Sequence, residues 1–115
     1  MTLDSFRATL NNSPETLEFA ATMAVIEALY DFTPTAFQNG EQYNEAGQNN
    51  GSCKLFSFAK LQGFNEAQTL ACFGAFYRDD VLKHPEGTDH QNIRNFMTSG
   101  WAGVRFEGDA LRPRA

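Results

Sequence analysis

Five side chains in one stretch have the types that metal-assisted or general acid–base chemistry uses: Asp79, Asp80, His84, Asp89 and His90. Imidazole titrates near neutral pH and binds divalent metals, and a carboxylate can orient it or share the ion. The spacing does not complete that picture. His84 and His90 are separated by a Pro-Gly turn, unlike the paired histidines of a His-Glu-x-x-His helix. Asp89 and His90 also have a simpler use, as first-turn residues of a helix. The expectation is therefore no metal, no cofactor and no assigned catalytic residue. A small metal-assisted hydrolase using His84, Asp89 and His90 is the alternative.

A second group is chemically different. Asn44, Glu45, Gln48, Asn49 and Asn50 lie in a polar stretch, Gln38–Gly51, that faces Thr33 and Thr35 in the sequence-based reading. Amides and hydroxyls hold neutral polar ligands by hydrogen bonds without using charge. They also satisfy backbone groups within a loop, as asparagine does in Asx turns. Trp101, beside Gly100, offers a flat surface for a ligand or an edge to the core. Covalent catalysis finds less support. Cys53 and Cys72 have no histidine nearby in sequence, no Gly-x-Ser-x-Gly elbow occurs, and no Gly-Lys-Ser/Thr follows Gly47 or Gly51.

The elements that must position these groups are signalled locally. Thr2 caps a short helix running to about Leu10. Ser13-Pro14 is a start signal, a capping hydroxyl followed by proline at the first helical position. Apolar residues from Leu17 to Tyr30 then predict a long helix with two buried stripes, with Glu27 at its rim. Pro34 makes Phe32–Phe37 extended, with Val104–Phe106 as its expected antiparallel partner. Ser52–Gln62 fits both a helix and an alternating strand; Gly63 as a C-cap decides for the helix. Asn65 and Gln68 form a capping box that opens a further helix, Glu66–Leu82, in which Gly74 allows another backbone to approach. Thr88 and Gln91 form another, opening a helix with Ile93, Phe96 and Met97 on one apolar face and Gly100 as its stop. The tail from Leu111 is expected to fray.

Composition bounds the rest. The chain has 115 residues and eleven phenylalanines, enough for one domain with a real core and no staples. Its formal charge is −5, concentrated in residues 1–50, where Arg7 is the only base. An acidic chain without a basic cluster is a poor match for a phosphate backbone, so nucleic acid is not an expected partner. No apolar run is long enough for a membrane span and no cationic, apolar leader precedes the chain, so no membrane partner is expected either. The two cysteines lack a paired spacing and fall in apolar segments, as buried free thiols do.

Several unusual strings together resemble the HopJ-type family, named after a type III secreted effector of plant-pathogenic bacteria. They are FTPTAF at Phe32–Phe37, NEAGQNNGSCK at Asn44–Lys54, TLACFG at Thr69–Gly74, HPEGTDHQNIRNFM at His84–Met97 and GWAGVRFEG at Gly100–Gly108. The resemblance covers nearly the whole chain and brings no catalytic residues with it. It implies a bacterial protein acting in the cytoplasm or delivered into a host cell by type III secretion. Helical signals from Thr2 onward leave little room for an unfolded leader. The combined expectation is one α+β, mainly helical domain over 1–115, with about five helices and a small two-stranded antiparallel ribbon. Its function would be that of a small non-enzymatic binding or interaction protein, with an unknown protein or a small polar ligand as partner. The binding residues would be Thr33, Thr35, Asn44, Glu45, Gln48, Asn49, His84, Asp89, His90 and Trp101.

Overall fold

The structure, a computed structural model, describes residues Met1–Arg114. Helix α1 (Leu3–Asn12) opens with a reciprocal cap, in which the Thr2 hydroxyl accepts from the Ser5 N–H and the Ser5 hydroxyl accepts from the Thr2 N–H. Phe6 and Leu10 are its buried stripe. On its half-buried flank Arg7 donates to Gln62 at 2.6 Å and lies over the Phe64 ring.

The long helix expected from Pro14 is broken. Pro14–Thr16 forms a single 3₁₀ turn, Leu17 and Glu18 are extended, and α2 runs from Phe19 to Leu29. The second long helix, expected over Glu66–Leu82, is broken too. It splits into α4 (Glu66–Ala71), a turn at Gly74 with φ +63°, and a π-helical turn over Phe76–Val81. The two breaks meet. A Cβ on Gly74 would stand 2.7 Å from the Phe19 nitrogen and 3.0 Å from the Leu17 carbonyl oxygen. Arg78 donates to that same Leu17 carbonyl at 2.8 Å, and the buried Thr22 hydroxyl donates to the Cys72 carbonyl at 2.8 Å. Both helices give up local hydrogen bonds, and each break exposes a carbonyl that the other segment satisfies.

Five short strands complete the fold. β1 (Tyr30–Phe32) pairs antiparallel with β5 (Leu111–Pro113), setting Phe32 opposite Leu111. A three-stranded sheet has the order β3 (Gln42–Asn44), β2 (Phe37–Asn39), β4 (Val104–Phe106), with Phe37 opposite Phe106 and Asn44. The expected two-stranded ribbon is thus corrected in three ways. The partner of Val104–Phe106 begins at Phe37, the polar stretch supplies an additional strand, and the tail pairs with β1 instead of fraying. Thr33–Ala36 links the two sheets, where a proline without an N–H breaks no ladder bond.

Helix α3 (Asn50–Gln62) forms where a helix was expected over Ser52–Gln62, and it ends as expected at Gly63, in left-handed geometry. Its Leu55, Phe56, Phe58 and Ala59 are fully buried. Phe56 is the hub, its ring centroid 4.9 Å from Phe96, 5.4 Å from Phe73 and 6.1 Å from Phe37. Asn65 and Gln68 form the expected capping box of α4. Helix α5 (Gln91–Ser99) starts later than Thr88 would have it, and it buries Asn92, Ile93 and Phe96 while Met97 is exposed. Among the described residues no helix is long and apolar enough to cross a membrane.

Two outcomes follow from this packing. Gly74→Ala forces a side chain into a positive-φ position against backbone and should cost about 2–4 kcal/mol in urea denaturation; wild-type stability would contradict the close approach. Both cysteines are free and buried, and burial pushes the Cys72 thiol up to about 12 and raises Cys53 as well. An aromatic disulfide reagent at mildly alkaline pH should therefore leave both unreacted until denaturant is added.

Candidate functional site

Two helices begin at one hollow. The residue before α3, Asn49, and the residue before α5, His90, have φ of 53° and 50°, and they are the only non-glycine residues with positive φ among those described. Neither caps its helix with a side chain. The first main-chain bond of α3 is Cys53 N–H to Asn49 O, and that of α5 is Ile93 N–H to His90 O, so the N–H groups before them point out of the helix ends. Between the two ends lies an open cleft of about 340 Å³, lined by Asn49, Gly51 and Ser52 from one and His90, Gln91 and Asn92 from the other. Phe19, Phe73 and Phe76 form its apolar wall, and Ile93 and Gln42 close it.

A buried asparagine network lies beneath. Asn39, Asn44 and Asn92 are 0%, 0% and 5% exposed. Two main-chain carbonyls set its polarity, because a carbonyl can only accept. Asn44 must turn Nδ2 to Phe37 O (3.3 Å) and Asn39 must turn Nδ2 to Asn92 O (2.8 Å). Asn44 Oδ1 therefore faces the other way and accepts from Asn49 Nδ2 at 2.7 Å, Asn92 Nδ2 at 3.0 Å and Gln42 Nε2 at 3.1 Å. Asn92 Oδ1 accepts from Asn39 and Asn44. Of these three buried asparagines, only Asn39 has an amide oxygen without a donor among the described residues. The network ties the β2–β3 hairpin to the heads of both helices and fixes which end of the Asn49 amide is left for the cleft.

The His90 side is held from two directions. His90 Nε2 is 3.0 Å from Asp80 Oδ2 on the π-helical turn, and its ring lies 5.2 Å from that of Phe76 on the same turn. Arg94 ties down the preceding segment, donating to His84 O at 2.9 Å, Asp89 O at 2.6 Å and Asp89 Oδ1 at 2.7 Å. At Gly87 a Cβ would come within 2.6 Å of that guanidinium, so a larger residue there would push the Arg94 side chain aside. Gln91 Nε2 reaches back to Thr88 O at 2.7 Å. These contacts take the segment past Thr88 before the helix starts, and so they displace the capping box that the residue types suggested.

The sequence-derived candidates divide accordingly. Asn49 and His90 line the cleft, and Asn44 lies below it as the network's central acceptor. Glu45 and Gln48 are exposed and bind each other, the Glu45 N–H donating to Gln48 Oε1. Thr33 and Thr35 belong to the link between the sheets, where the Thr35 hydroxyl donates to Thr33 O. His84 is exposed and enters through its carbonyl, and Asp89 is exposed with its carboxylate on Arg94 and 3.9 Å from His90 Nε2. Trp101 donates its indole N–H to Phe64 O at 2.8 Å and packs edge-on against Phe96. No group of three or more His, Cys, Asp or Glu among the described residues is placed to hold a metal. Phe19, Ser52, Phe73, Phe76, Gln91, Asn92 and Ile93 are lining residues that the residue types did not single out as a site. The phenylalanines looked like core, and Ser52 and Gln91 are marked only by their place at a helix head.

Asp89 supplies a pH test of the clasp. Its hydrogen bond from Arg94 lowers its pKa below the ordinary value of 3.8. A depressed carboxyl stabilises the fold above the unfolded-state value and loses that contribution as pH falls through the lower, folded value. The Asp89 carboxyl carbon should accordingly titrate by NMR below 3.8, and Arg94→Gln should move the midpoint back up. An unshifted wild-type midpoint would contradict the clasp.

A search of curated proteins finds no match to the chain. Among solved structures, the chain is similar to that of VPA0580, described as a protein of unknown function. The two share 58% identity with a TM-score of 0.97, over 99% of this chain and 95% of the other. The model of the family described as HopJ type III effector protein matches residues 3–111. The chain belongs to the HopJ type III effector protein family.

Proposed function

We propose that the protein is a small non-enzymatic binding protein and that its working surface is the cleft between the heads of α3 and α5. The supporting observation is the convergence of Asn49 and His90. Left-handed backbone in residues other than glycine costs free energy and persists where the surroundings hold it, commonly at ligand sites. Here both instances face one hollow that combines an apolar wall with unpaired polar groups, the composition of a small-ligand pocket. A small polar ligand, or a polar segment of a partner protein, is the occupant of this reading. Delivery into a host cell comes to this chain through the family's description alone, and the binding role holds in either compartment. The His90–Asp80 pair serves to fix the ring at the cleft.

A thermal-shift screen against polar metabolites tests the proposal. A compound that binds only the folded state raises the melting temperature, with about 2.7 kcal/mol of stabilisation at 100 times its Kd. The expected hit loses its shift in Ser52→Phe, which fills the cleft from the α3 side. A shift that survives that substitution would place binding elsewhere and contradict the reading.

A further inference from the structure

From the hydrogen-bonding sense of each lining group, we infer that the cleft takes an uncharged, hydroxyl-bearing ring with one apolar face, of which a pyranose sugar is the simplest example. The inference rests on the cleft being the working surface. Its starting point is the set of atoms already spoken for. Asn49 spends its Nδ2 on Asn44, so its Oδ1 remains. Gln91 spends its Nε2 on Thr88 O, so its Oε1 remains. His90 has Nε2 on Asp80, and its Nδ1 serves as donor or acceptor according to the tautomer. Two amides thus keep acceptor oxygens, and the His90 ring nitrogen and the Ser52 hydroxyl can act in either sense.

Charge then narrows the class. A cation would find no carboxylate among the lining residues and would face the positive ends of two helix dipoles. An anion would find main-chain N–H groups at those ends, but also the two remaining amide oxygens, each of which repels it. A hydroxyl both donates and accepts through one oxygen, so it can meet an acceptor and an N–H group together. Neighbouring hydroxyls on a ring repeat that pattern across the polar side of the cleft. On the other side Phe76, 40% exposed and packed against Phe19 at 5.1 Å, presents apolar surface to the C–H face of such a ring. The volume, about 340 Å³, fits a ligand of one or two rings.

The test is a ¹H–¹⁵N titration of the full chain with methyl glucopyranosides and methyl galactopyranosides, run beside sodium benzoate, inorganic phosphate and spermidine. At least one pyranoside should shift the amides of Gly51, Ser52, Gln91 and Asn92, with a Kd on the order of 1 mM for so small a ligand. Asn49→Gly keeps the left-handed backbone and removes the amide, and it should weaken that binding at least about fivefold, the loss of one good hydrogen bond. Phe76→Ala should weaken it by a similar factor. Shifts at the cleft from benzoate, phosphate or spermidine, with none from the pyranosides, would overturn the ligand class and leave the cleft as the binding surface. Pyranoside shifts elsewhere, or unchanged by both substitutions, would overturn the assignment to this site. Silence from every probe on a folded protein would overturn the class and remove support from the proposed function as well.

Discussion

The close approach of Gly74 to Leu17–Phe19 is the contact on which the rest of the molecule depends. No side chain could occupy that position, because the Phe19 nitrogen and the Leu17 carbonyl already fill the space where a Cβ would stand. Two segments that would each continue as a helix bend where they touch, and Arg78 and Thr22 satisfy the carbonyls that the bends release. One bend starts α2 at Phe19, and the other winds Phe76–Val81 into a π-helical turn. Phe19 and Phe76 become neighbours at 5.1 Å and form much of the cleft's apolar wall. Asp80, on the same turn, reaches His90 and fixes its ring. A single packing constraint therefore carries through to the aromatic wall and to the histidine.

The polar side of the cleft has a separate origin. Burying Asn39, Asn44 and Asn92 between a hairpin and two helix heads would be unfavourable for isolated amides, and the network offsets that cost by pairing nearly every group. Its orientation is dictated by main-chain carbonyls and passes from Asn44 to Asn49, whose carbonyl end is left outward. The polar groups are accordingly oriented by their hydrogen bonds before any ligand arrives, which lowers the ordering cost of binding.

Much of the fold was legible in the sequence, and the omissions share a cause. The Thr2 cap, the Asn65–Gln68 capping box, the Gly63 stop and the Phe-rich α3 follow from interactions within a few residues. Where a distant partner intervenes, local signals mislead. Leu17 looked helical until Arg78 took its carbonyl, and Thr88 looked like a cap until Arg94 held the turn before His90. The strand at Gln42–Asn44 was hidden because its buried position is an asparagine and not an apolar residue, so no hydrophobic alternation marks it. The tail's strand is short and polar apart from Leu111, and only its pairing with Tyr30–Phe32 reveals it. The two stretches singled out for polar chemistry come together at the cleft, where Asn49 and His90 are the candidates in its lining; Asn44 lies beneath it, and Thr33, Thr35 and Trp101 serve other parts of the fold.

A crystallographic fragment screen measures most directly whether the cleft between α3 and α5 is the working surface. Chemically mixed fragments soaked into crystals sample every hollow on the molecule without favouring one. The account predicts that bound fragments concentrate between Asn49 and His90, contacting Ser52, Gln91 and the Phe76 ring. An unoccupied cleft, with fragments gathered instead in the hollow between Lys60 and the Gly108–Leu111 segment, would contradict it.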